Sequence, residues 1–191
     1  QIAQRNDVYW IGARARRTLA NDRSIWVGQS GLNAGMTTPI FSKGIYGGGQ
    51  IAAVLDTGLD ADACYFRDDT LGLPVTNIGN GTAVNACHRK VLAVDFLWAA
   101  DDPANPTRWD TEGHGTHVAG TLAGDFGVPI LHDTGDGMAP AAKLVIQDAG
   151  YAADACGDLP GIGCPVSDLI PVFQQAYDQG ARVHSNSWND N

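Results

Sequence analysis

Four short runs, apolar on both faces, constrain this chain more than anything else in it. They are Ile51-Ala-Ala-Val-Leu55, Val91-Leu-Ala-Val94 continuing to Phe96, Leu97 and Trp98, Lys143-Leu-Val-Ile146, and Ala181 to Trp188. Such runs suit strands covered on both sides, as in a parallel sheet, rather than half-exposed hairpins. Helical patterns lie between some of them. His117 to Ala123 is short and rich in small residues. In Ser167 to Tyr177, the residues Leu169, Val172, Phe173, Ala176 and Tyr177 share one face. Ser167 and Asp168 are placed to cap its start, Pro171 falls near the first turn, and Gly180 follows its end. Strands alternating with helices predict an α/β fold, a mainly parallel sheet flanked by helices. Stretches 59–90, 99–112 and 124–142 read as long loops rich in Gly, Pro and Asp.

At 191 residues and 44% hydrophobic, the chain can bury a real core as one domain or a large part of one. It has no run of about 18 apolar residues, so no membrane span is expected. A formal net charge of -9 argues against a nucleic-acid partner, because phosphate would repel so acidic a body. The charge is uneven: Arg5, Arg14, Arg16, Arg17 and Arg23 face only Asp7 and Asp22 in the leading segment. The cysteines fall into two local pairs, Cys64 with Cys87 and Cys156 with Cys164, neither with C-x-x-C spacing. That pattern suggests two disulfides and a secreted, oxidising setting, with all three connectivities left open.

Asp56 closes the first apolar run and is followed by Thr57-Gly58. Ligands of parallel sheets bind at the carboxyl ends of strands, which is where this carboxylate falls. His114 lies between two glycines, in Gly113-His-Gly-Thr-His-Val-Ala-Gly120, just before a helical pattern. A carboxylate that orients one imidazole nitrogen leaves the other free as a general base. The strings Ile51 to Asp60, His114 to Gly120 and His184-Ser-Asn-Ser-Trp188 resemble the subtilisin-like serine peptidases, and Leu159 to Trp188 resembles their alkaline secreted bacterial branch.

The resemblance covers roughly residues 21–191 and implies that Asp56 orients His114 and that His114 activates a serine. Ser24, Ser30, Ser42, Ser167, Ser185 and Ser187 all lack a nucleophile context, and the family's serine motif and oxyanion asparagine are absent. Both are therefore expected outside this chain, in a C-terminal remainder that would be its partner, with residues 1–191 inert alone. Protein or peptide is the implied substrate. Glu112, Ser187, Trp188 and Asn189 match substrate-binding positions, and Glu112 would favour a basic residue just before the scissile one. Residues 1–20 resemble a propeptide tail, or else form a permanent N-terminal extension. No cofactor is required for the chemistry. Structural calcium is common in the family, and Asp60, Asp62, Asp133 and Asp136 are candidate oxygens, though no site can be copied over. Two rivals remain. Asp56-Thr-Gly is also the signature of an aspartic peptidase, which would need a dimer; the other is a non-catalytic binding protein of subtilisin-like fold.

Overall fold

The computed structural model describes residues 24–32, 35–97, 109–127, 135–150 and 168–188. Helix α1 (Ser24–Ser30) and a 3-10 turn (Phe41–Lys43) lead into β1 (Ile51–Asp56), β2 (Val75–Ile78) and β3 (Val91–Phe96). Helix α2 (His114–Ala123), β4 (Lys143–Asp148), α3 (Ile170–Asp178) and β5 (Val183–Asn186) follow. The five strands form one sheet in the order β2-β3-β4-β1-β5, and every pairing is parallel. The expected α/β architecture is therefore what the chain adopts. All the carboxyl ends share one edge, where Asp56 on β1 stands beside Asp148 on β4.

Strand alternation divides the core. Ala52 and Val54 of β1, Val94 and Phe96 of β3, and Leu144 and Ile146 of β4 pack with Ala119 and Ala123 of α2. Ala53 and Val145 turn the other way, toward Ala176 of α3, and Leu55 meets Val172 there. Leu92 joins that second face although Val94 does not. A register shift between Val91 and Ala93 accounts for this, since one irregular residue reverses the side-chain alternation. The same alternation turns Asp56 toward the α2 face.

The face under α3 also carries a polar layer. Gln147 Nε2 donates to Val172 O at 2.8 Å and to Gln175 Oε1 at 3.2 Å. Gln175 Nε2 donates to the carbonyls of Gly79 and Gly81. His184 Nε2 donates to Gln147 Oε1 at 2.8 Å. These amides displace the expected apolar stripe of α3: Val172, Gln175 and Ala176 are buried, while Phe173 and Tyr177 are exposed. The helix was expected from Ser167; it begins at Ile170, and Asp168 Oδ1 accepts from Ile170 N, with Pro171 in the first turn.

One element departs from expectation. β2 lies inside the stretch read as a loop, its Val-Thr-Asn-Ile sequence recruited by pairing with β3. Helix α1 forms from a segment rich in Gly and Ser because Ile25 and Trp26 bury against the body. Cys64 and Cys87 are free thiols in this structure. Arg89 ties the loops beside them, donating to Arg67 O, Asp125 O and Cys64 O. Cys156, Cys164 and residues 1–20 lie outside the described residues. No described helix is long and apolar enough to cross a membrane.

One carboxyl is trapped in the amide layer. Asp95 of β3 is fully buried, and its Oδ1 accepts from Asn77 Nδ2 at 2.7 Å and Gln179 Nε2 at 2.9 Å. Burial pushes its pKa up to about 6 against these two bonds. Asp95 Oδ2 and Gln179 Oε1 are both buried acceptors without a partner among the described residues. An uncharged acid avoids the cost of burying a carboxylate oxygen that no donor reaches. The fold thus favours the neutral acid. Its contribution is fully present below the unfolded value near 4 and is lost as pH rises through about 6. Asp95→Asn, an uncharged analogue, should stabilise the protein by about 1–2 kcal/mol at pH 8 and change little at pH 4. Urea midpoints at the two pH values test this; equal shifts at both would contradict it.

Candidate active site

Asp56 ends β1 with its side chain wholly buried. A carboxylate so placed needs donors. Its Oδ1 accepts from Thr57 N at 2.8 Å and from His114 Nδ1 at 2.7 Å. His114 opens α2, and its side chain is 53% exposed. The bond places the imidazole proton on Nδ1, leaving Nε2 with a lone pair and no partner among the described residues.

Two glycines allow this closeness. A Cβ on Gly115 would lie 2.3 Å from Gly58 O, and one on Gly58 would lie 1.7 Å from Trp109 O. Gly58 also holds φ at +112°, where only glycine is comfortable. Helix and strand end therefore meet backbone to backbone. The first turn of α2 has orphan N–H groups, and side chains from outside the helix satisfy them. Gly115 N donates to Thr57 Oγ1 and Thr116 N donates to Asp110 Oδ2.

Asp56 and His114 are thus brought together as expected. Glu112 is exposed, two residues before His114. Ser187 is exposed just beyond β5, and Asn189 lies outside the described residues. The Trp188 indole packs on the sheet beside Leu55, Ala149 and Val172, and Nε1 donates to Leu55 O at 3.0 Å. It anchors the strand end that carries Asp56. Asp60 Oδ1 accepts from Asp62 N, Asp136 Oδ1 accepts from Phe126 N, and Asp133 is outside the described residues. Among the described residues no three His, Cys, Asp or Glu groups gather as metal ligands.

The family model described as the subtilase family matches residues 47–191. The chain belongs to the subtilase family. It is 31% identical over its whole length to the serine protease/ABC transporter B family protein tagA of Dictyostelium discoideum, covering 10% of that protein. Its likeness to tagD of the same organism is 35% over 74% of the chain and 7% of the relative. The subtilisin-like protease SBT3 of Solanum lycopersicum is 30% identical over 72% of the chain and 19% of the relative. The chain thus spans a small part of the relatives it matches.

Sequence reasoning missed Asp110, Thr57 and Thr116 in this subtilase. The available signal was an acid three residues before Gly113 at a helix start, which reads as a capping position. Adding a methyl at Gly115 tests how tightly the site is built. Gly115→Ala should cost about 1–3 kcal/mol of stability and disrupt the Asp56–His114 bond. Thermal unfolding and the NMR resonance of the His114 Nδ1 proton report the two effects; a variant unchanged in both would show that the approach has slack.

Proposed function

We propose that this chain supplies the Asp–His part of a serine peptidase site that cleaves protein or peptide substrates. The observation that carries the reading is the 2.7 Å bond from His114 Nδ1 to a wholly buried Asp56, with the His114 side chain half exposed. Membership of the subtilase family supports it. In this reading Asp56 holds the ring orientation and stabilises the imidazolium once formed. His114 Nε2 takes the proton from a serine hydroxyl as it attacks the scissile carbonyl, then returns it to the leaving amine. The serine and its oxyanion donor come from the remainder of the protease, beyond residues 1–191. An aspartic mechanism is disfavoured because Asp56 faces an imidazole rather than a second carboxyl.

The test uses the protease complete with its serine. His114→Ala should lower kcat on a peptide ester by roughly 10⁶-fold, a magnitude known from subtilisin in this same family. A serine-directed phosphonyl fluoride should abolish the wild-type activity. Full turnover by His114→Ala would sink the proposal.

Glu112 extends the reading to specificity. It is exposed close to His114, and its carboxylate is read as attracting Arg or Lys at the substrate residue before the scissile one. Glu112→Gln should reduce kcat/KM for such substrates severalfold and leave neutral ones unaffected. The same preference in both enzymes would reduce Glu112 to a solvated loop acid.

A further inference from the structure

Asp110 takes part in no step proposed above, yet four bonds converge on its carboxylate. Oδ1 accepts from Thr57 Oγ1 at 2.8 Å and from Gly113 N at 2.8 Å. Oδ2 accepts from Thr116 N at 2.7 Å and from Thr116 Oγ1 at 2.5 Å. Thr57 adjoins Asp56, whereas Gly113 and Thr116 lie on either side of His114. The same gap is therefore spanned twice, once by the Asp56–His114 bond and once through Asp110.

The direction of these bonds matters. An ionised carboxylate only accepts. Thr57 must therefore point its hydroxyl proton at Asp110, which leaves its lone pairs for Gly115 N at 2.8 Å. Thr116 likewise donates to Asp110 and accepts from Asp60 N at 2.8 Å. One carboxylate sets the polarity of both threonines. Through them it clamps the β1 end to the first turn of α2.

The geometry points to Asp110 as a positioning residue that fixes the separation and orientation of Asp56 and His114. The inference rests on the peptidase reading above. Asparagine at this position is a sharp probe because either orientation of its amide turns an N–H against the N–H of Gly113 or Thr116. The side chain stays nearly isosteric while one half of the clamp is reversed.

In the complete protease, Asp110→Asn should lower kcat about 10²-fold, the scale associated with a misplaced catalytic group, while KM stays within about twofold. The His114 Nδ1 proton resonance should shift or vanish, which a merely structural role would not require. Thr57 tests the same link in a second place, should Asp110→Asn fail to fold. Thr57→Val, which keeps the shape and removes the hydroxyl, should lower kcat comparably, and Thr57→Ser should restore most of it. Wild-type kcat in a folded Asp110→Asn or in Thr57→Val would overturn the positioning role. His114→Ala in the same assays separates the two claims: if it retains turnover, the peptidase reading fails rather than the clamp.

Discussion

A helix start and a strand end pressed together through two glycines determine what this structure can do. A Cβ on Gly115 would strike the Gly58 backbone, and one on Gly58 would strike the Trp109 carbonyl. That contact brings the first residue of α2 within hydrogen-bond distance of the last residue of β1. Alternation along β1 does the rest. Val54 and Asp56 point to the side where α2 packs, so the strand that builds the core also delivers the carboxylate. The polar pair stands directly above an apolar layer of Val54, Leu144, Ile146 and Ala119, which holds helix and sheet in one relation.

The two faces of the sheet are held by different physics. On the α2 side, close-packed aliphatic residues exclude water and resist small displacements. On the α3 side, Gln147, Gln175, Gln179, Asn77 and His184 exchange directional bonds. Directional bonds specify an arrangement but stabilise it little in net terms, at about 1 kcal/mol each. The site depends on the apolar face, while the amide face fixes where α3 sits. Trp188 joins the two regions, packing near Val172 while its N–H holds the Leu55 carbonyl beside Asp56.

Much of this was legible in the sequence because both signals are local. The runs at 51–55, 91–98, 143–146 and 181–188 contain four of the five strands, and the strings at 56–58 and 113–120 mark the Asp–His pair. What was not legible depended on partners distant along the chain. The β2 segment has a weak pattern of its own and is a strand only because β3 pairs with it. The stripe Leu169-Val172-Phe173-Ala176-Tyr177 pointed to a burial angle that the glutamines overrode, since a helix periodicity cannot show that the facing surface is polar. Asp110 carries only the weak signal of an acid just before a helix start. Its four bonds reach residues that only folding brings together.

Two buried aspartates on one sheet show how far position governs chemistry. Asp56 and Asp95 both sit within parallel strands and are both fully buried. Asp56 stands on the face where α2 begins, and it meets a backbone N–H and an imidazole that can become a cation. Asp95 stands on the opposite face and meets only the neutral amides of Asn77 and Gln179, so burial prevails and its pKa rises. Moving a carboxylate by one residue along either strand would turn it to the other face of the sheet. The residue type is the same in both places. What separates a candidate catalytic carboxylate from a structural acid here is which face of the pleat it occupies, and that was decided by the apolar residues on either side.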